Sequence, residues 1–100
     1  MSIAVNLDTV YRPSDDVVSR EIEGELIIVP IASGIGDMED ELYTLNETGR
    51  AIWRRLDGVK SLRLIAADLS AEYGAPSADI ERDVLGLVTE LVRRKMLVLR

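Results

Sequence analysis

The pattern of apolar and polar positions changes character once along this chain, near Asn46. Before that point the apolar residues come in short, β-branched runs. Val17-Val18-Ser19-Arg20-Glu21-Ile22 stops at the turn pair Glu23-Gly24 and is followed by Glu25-Leu26-Ile27-Ile28-Val29, a pattern that predicts two antiparallel strands joined by a tight hairpin. Pro30 has no N–H to give to a ladder, so it is expected to end the second strand or to sit at a bulge. Ser33 to Glu41 reads as an acidic, glycine-containing loop. Leu42-Tyr43-Thr44-Leu45 then predicts a third strand, with Tyr43 and Leu45 on one face and Leu42 and Thr44 on the other.

After Asn46 the period becomes helical. Asn46 is a good N-cap and Glu47 suits the positive helix end, so a first helix is expected to run to Leu56, stop before Gly58, and bury Ile52, Trp53 and Leu56. Ser61 is expected to cap a second helix with Leu62, Ile65, Ala66, Leu69 and Tyr73 at helical spacing, ended by Gly74 and Pro76. Ser77 is expected to cap the third and longest helix, whose stripe Ile80, Val84, Leu87, Val88 and Leu91 runs toward Lys95, with Met96 to Leu99 extending along the body. Three antiparallel strands followed by three helices define an α+β fold with one sheet face packed on the helices.

Composition narrows this without redirecting it. The chain has 100 residues, 47% of them apolar and 30% charged, which fits one small globular domain and leaves no room for a second. Residues 1–10 are expected to be a flexible lead-in and residues 11–100 the single domain. A chain this short buries roughly two-thirds of its unfolded surface, so a deep catalytic cleft would compete with its core. Leu26 to Ala32, the longest apolar run, includes Pro30 and is far below the roughly 20 residues of a membrane span. The N-terminus has no basic segment followed by a long apolar one, so no secretory signal is read and a cytoplasmic location is expected. A net charge of −6 repels a phosphate backbone, which disfavours nucleic acid unless Arg82, Arg93, Arg94 and Lys95 on the third helix form a local patch.

The residue types present also exclude chemistry. There is no histidine and no cysteine, which removes Ser-His and Cys-His nucleophilic pairs, iron–sulfur ligation by thiolates and Cys/His zinc sites. Asp37, Glu39, Asp40 and Glu41 do not follow the EF-hand spacing, and a polar loop supplies no desolvation to separate carboxylate pKa values for acid–base work. Ser33-Gly34-Ile35-Gly36 lacks the third glycine and the following helix of a phosphate cradle. No catalytic residue, metal or cofactor is expected.

Leu42-Tyr43-Thr44-Leu45-Asn46-Glu47-Thr48-Gly49-Arg50-Ala51-Ile52-Trp53, with Leu56-Asp57-Gly58 just after it, resembles the PqqD family, and the order of strands and helices from about Tyr11 onward agrees. Most of these residues have a structural role: Leu45 and Trp53 fill core, Asn46 caps, and Gly49 lets the helix approach the sheet. The resemblance implies a small winged-helix-like domain without catalytic activity that binds the leader of a ribosomally made precursor peptide. It further implies a partner enzyme, either a radical S-adenosylmethionine enzyme, as in pyrroloquinoline quinone synthesis, or a leader peptidase or cyclase. The implied mode is strand addition to the third strand, with the peptide lying against the last helix.

The residues give that mode a physical basis. An open sheet edge offers unpaired N–H and C=O groups, and neighbouring side chains supply selectivity. Leu42, Tyr43, Thr44 and Leu45 are the candidate edge. The third helix is apolar beyond the single stripe that a surface helix needs, because Leu85, Val88 and Val92 add a second one at i, i+3 and i+7. That second stripe is either the wall of a peptide groove or a surface packed on Leu97 to Leu99 or on a partner in a homodimer. The loop from Ser33 to Glu41 is longer and more acidic than the family's short hairpin.

Overall fold

The computed structural model describes residues 5–31 and 42–99; the acidic loop expected over Ser33 to Glu41 lies outside the described residues. The first strand of the predicted hairpin is β2 (Val17–Ile22), its partner is β3 (Glu25–Pro30), and a short β1 (Tyr11–Pro13) precedes them. Glu23 and Gly24 both take positive φ, 51° and 84°, the pair that a two-residue hairpin turn requires if its twist is to match that of the strands. β4 (Tyr43–Leu45) joins the far side of β3, giving an antiparallel sheet in the order β2-β3-β4. Pro30 falls at the last position of β3, opposite Val17, where the ladder ends.

The register places Val17, Leu26, Ile28 and Leu45 on one face, and all four are buried. Three helices cover that face: α1 (Glu47–Arg54), α2 (Leu62–Tyr73) and α3 (Ser77–Arg93). The α+β expectation therefore holds. Ile28, Ile52, Leu62, Ile65, Leu69, Val84, Val88, Leu91 and Met96 are its fully buried centre, contributed by the sheet, all three helices and the segment after α3.

Helix ends follow local chemistry more than apolar spacing. Asn46 Oδ1 accepts the Gly49 N–H at 2.8 Å and Ser61 Oγ accepts the Leu64 N–H at 3.2 Å, as their positions predict. Gly74 closes α2 in the left-handed region, at φ 64°. The expected Ser77 cap is corrected: Pro76 occupies the cap position and Ser77 is the first helical residue, with no side-chain cap bond. Proline needs no N–H at a helix start, and its fixed φ suits the entry. α1 stops at Arg54 rather than Leu56, and Leu56 is buried just beyond the helix. Tyr73, placed by spacing on the inner stripe of α2, is instead 43% exposed in the last turn.

A second sheet was not anticipated. β5 (Leu97–Leu99) pairs antiparallel with β1, Tyr11 facing Leu99 and Pro13 facing Leu97. The reversal that delivers it is at Lys95, a non-glycine residue at φ 64°, where the Met96 N–H reaches back to the Leu91 carbonyl at 2.9 Å. The Ser14 N–H then donates to the Met96 carbonyl at 2.9 Å. In the segment expected to be a lead-in, residues 7–10 lie against α2: the Leu62 and Arg63 N–H groups donate to Thr9 O at 3.0 Å and Leu7 O at 2.7 Å, and Val10 bridges Ser61. These contacts satisfy donors in the first turn of α2 that have no partner inside the helix. No helix among the described residues is long and apolar enough to cross a membrane.

Candidate functional site

β4 is bonded to β3 on one side only, with Leu45 opposite Leu26 and Tyr43 opposite Ile28, so its other edge carries unpaired backbone groups among the described residues. What lies beside that edge follows from the start of α1. A Cβ on Gly49 would stand 3.1 Å from Leu45 Cδ2, so glycine is what lets the first turn of α1 rest on the inner side of β4. α3 crosses on the other side. Between them is an open groove of about 460 Å³ lined by Tyr43, Thr44, Leu45 and Asn46, by Thr48, Gly49 and Ile52 of α1, and by Arg82, Asp83, Gly86 and Leu87 of α3. Its floor is apolar, since Leu45 and Ile52 are buried, and its α3 wall is polar except for half-buried Leu87.

Tyr43 is fixed from the helix side. The Arg94 guanidinium sits 4.8 Å from the centre of its ring, a cation–π geometry. Glu90 holds that cation, accepting from Arg94 Nε at 2.6 Å and from Arg93 at 2.6 Å, and these two bonds keep its carboxyl below the usual glutamate range. Arg82 is matched by Asp79 at 3.0 Å. Of the cations weighed for nucleic acid, Arg82, Arg93 and Arg94 are thus engaged with carboxylates on their own helix. The other edge of the sheet is β2. It is exposed after Val17 and carries Arg20 and Glu21, the kind of charge that guards an edge; Glu21 pairs with Arg54 at 2.5 Å.

The structure brings together only part of the sequence-predicted set. Tyr43, Thr44 and Leu45 line the groove, whereas Leu42 is exposed just before the strand and does not. The second stripe lies away from the groove-lining residues. Val88 is wholly buried and belongs to the core, and Leu85 and Val92 are half-buried against the core without lining the groove. Two residues along a helix is about 200° around its axis, so Leu85 and Leu87 stand on opposite flanks, and the groove is on the Leu87 flank. The extra apolar width of α3 reflects packing of a helix covered by several neighbours. Arg82, Asp83 and Gly86 were missed, and the available signal was a glycine in mid-helix with no turn to explain it.

Residues 25–97 match the family model described as coenzyme PQQ synthesis protein D (PqqD). The chain belongs to the PqqD family. Among curated relatives, the "PqqA binding protein" of Xanthomonas oryzae pv. oryzae (strain PXO99A) is 38% identical over 58 residues, 58% of this chain and 63% of the relative; that of Xanthomonas campestris pv. campestris (strain 8004) is 35% identical over the same length. The chain thus spans less than two-thirds of the length of these PqqD relatives. Among solved structures, TbiB1 in complex with the TbiA(beta) leader peptide is 26% identical with a TM-score of 0.71, over 86% of this chain and 93% of that one. Lasso peptide synthetase B1 complexed with the leader peptide is 25% identical with a TM-score of 0.73, covering 88% and 96%. The PqqD truncation of Methylobacterium extorquens PqqCD shares the fold, with a TM-score of 0.75 at 23% identity over 95% of each chain.

Proposed function

We propose that this chain is a non-catalytic recognition module: it binds an extended segment of a ribosomally made precursor peptide along β4 and presents it to a modifying enzyme. The observation that carries this reading is the conjunction of a strand edge unpaired among the described residues with an open groove of about 460 Å³ beside it. An added strand gains main-chain hydrogen bonds whatever its sequence, and the groove then selects among side chains. The site residues are Tyr43, Thr44 and Leu45 on the edge, with Asp83, Gly86 and Leu87 on the facing helix. The whole groove is built by one chain, so a homodimer is not needed to complete it. PqqA is the ligand in the name of the Xanthomonas relatives, and two structural neighbours hold leader peptides, which supports this ligand class. The partner in this reading is a cytoplasmic radical S-adenosylmethionine enzyme or a leader peptidase or cyclase.

The test is an NMR titration of the isotope-labelled chain with synthetic precursor leaders, PqqA of Xanthomonas oryzae among them. Amide shifts should concentrate at Tyr43 to Leu45, Thr48 and Gly86, and the β4 amides should become slower to exchange with solvent. Shifts confined to β2, or to the Leu85 and Val92 flank, would overturn the assignment.

A further inference from the structure

Gly86 is unexplained by the fold. It lies well inside the seventeen-residue α3, where glycine is the poorest helix former after proline, and its φ is not positive. Packing does not demand it either, since an added Cβ would meet nothing within 4 Å, in contrast to Gly49, where it would meet Leu45 at 3.1 Å. Yet Gly86 lines the groove. Its missing side chain leaves a notch in the α3 wall.

The chemistry around the notch is not neutral. Asp83, one turn before Gly86 and also lining the groove, makes no hydrogen bond and no ion pair among the described residues, whereas its neighbour Arg82 is matched by Asp79. Side chains three apart on a helix are neighbours, with about 5–6 Å between their Cβ positions. An apolar side chain placed in the notch would strip water from Asp83 and return nothing. A long basic one would lay its methylenes over Gly86 beside Leu87 and bring its cation to the carboxylate. The net charge of −6 also attracts a cationic segment at long range.

We infer that the notch at Gly86 is a specificity subsite for one lysine or arginine side chain of the bound peptide, with Asp83 as its counter-ion. The inference rests on the peptide-binding reading and names the kind of residue that site selects.

The experiment is selection of a displayed random 16-residue peptide library on the intact chain. Each selected peptide is then mapped by amide shifts and its affinity measured for Asp83→Asn, Gly86→Ala and Gly86→Leu. Binders that shift the β4 amides should share one position held by lysine or arginine. Asp83→Asn should weaken them about tenfold, the loss typical of one charge-assisted hydrogen bond, and replacing the shared basic residue by methionine should cost as much in the parent protein but little in the Asp83→Asn variant. Gly86→Leu should abolish binding while the thermal midpoint does not fall. Binders that shift the β4 amides but have no basic position, or that are indifferent to Asp83→Asn and Gly86→Leu, overturn the subsite and leave the peptide reading intact. A library that yields no β4-directed binder overturns the peptide reading and the subsite with it.

Discussion

Two helical glycines in this domain should respond in opposite directions to the same substitution. Replacing an interior helical glycine by alanine gains about 1 kcal/mol of helix propensity when nothing else changes. At Gly86 nothing else changes, because the new methyl group meets no atom within 4 Å. The full gain is therefore expected, and about 1 kcal/mol raises the thermal midpoint of a domain this size by roughly 4–8 °C. At Gly49 the methyl group would meet Leu45 Cδ2 at 3.1 Å, Leu45 Cβ at 3.3 Å and Asn46 Oδ1 at 3.3 Å. Leu45 is 3% exposed and paired across the sheet with Leu26, so it has little room to retreat. Overpacking of this kind costs about 1–3 kcal/mol. Pushing Asn46 away also weakens an N-cap bond of 2.8 Å, a contact class worth about 1 kcal/mol. After the smaller propensity gain of a first-turn position, Gly49→Ala should lose about 1–2 kcal/mol, a fall on the order of 5–15 °C. Thermal and urea unfolding followed by circular dichroism, with unchanged urea slopes, would measure both. Midpoints that move in the same direction for the two variants would refute the assignment of Gly49 to close packing and of Gly86 to open space.

Val88→Ala should destabilise the domain by roughly 2–3 kcal/mol through a core cavity, whereas Leu87→Ala, half-buried on the groove, should cost about 1 kcal/mol or less and weaken peptide binding instead; urea midpoints and titration calorimetry separate the two. Lys95→Gly should raise stability by about 1 kcal/mol by relieving a side chain at φ 64°, read as a higher urea midpoint. Glu90 is held below its unfolded pKa of about 4.3 by Arg93 and Arg94, so its contribution is complete above that value and is lost as pH falls through the lower folded value. Urea midpoints between about pH 5 and pH 2 should therefore fall less steeply for Glu90→Gln than for the parent, and parallel curves would exclude the effect.

The sequence was most legible where one residue type has one local use. Asn46 and Ser61 cap as their positions predict, and Glu23-Gly24 turns a hairpin because its two positive φ angles match the strand twist. The second sheet was not legible, since Tyr11-Arg12-Pro13 and Leu97-Val98-Leu99 are each three residues long and pair across almost the whole chain. The site was half legible for a different reason. Alternation gave the face of Tyr43 and Leu45, but an apolar stripe on α3 reports only burial, not which neighbour does the burying, and so it left Leu85, Val88 and Val92 open between a groove wall and a packing surface; Val88 is buried and none of the three lines the groove. The wall that exists is marked by what is absent at Gly86.

The pairing of β1 with β5 places Tyr11 opposite Leu99, and the segment just before Tyr11 runs on against the start of α2. Two strands paired this way can be linked through a short connection and the chain cut elsewhere with little change in shape, provided the linker leaves the Leu7 and Thr9 bonds to α2 in place. The Glu23-Gly24 turn, two residues long and at the tip of a hairpin whose first strand is exposed, is a natural place for such a cut. It does not line the groove. The same pairing joins positions more than eighty residues apart, and so it is the contact with the largest loop-closure entropy to overcome during folding.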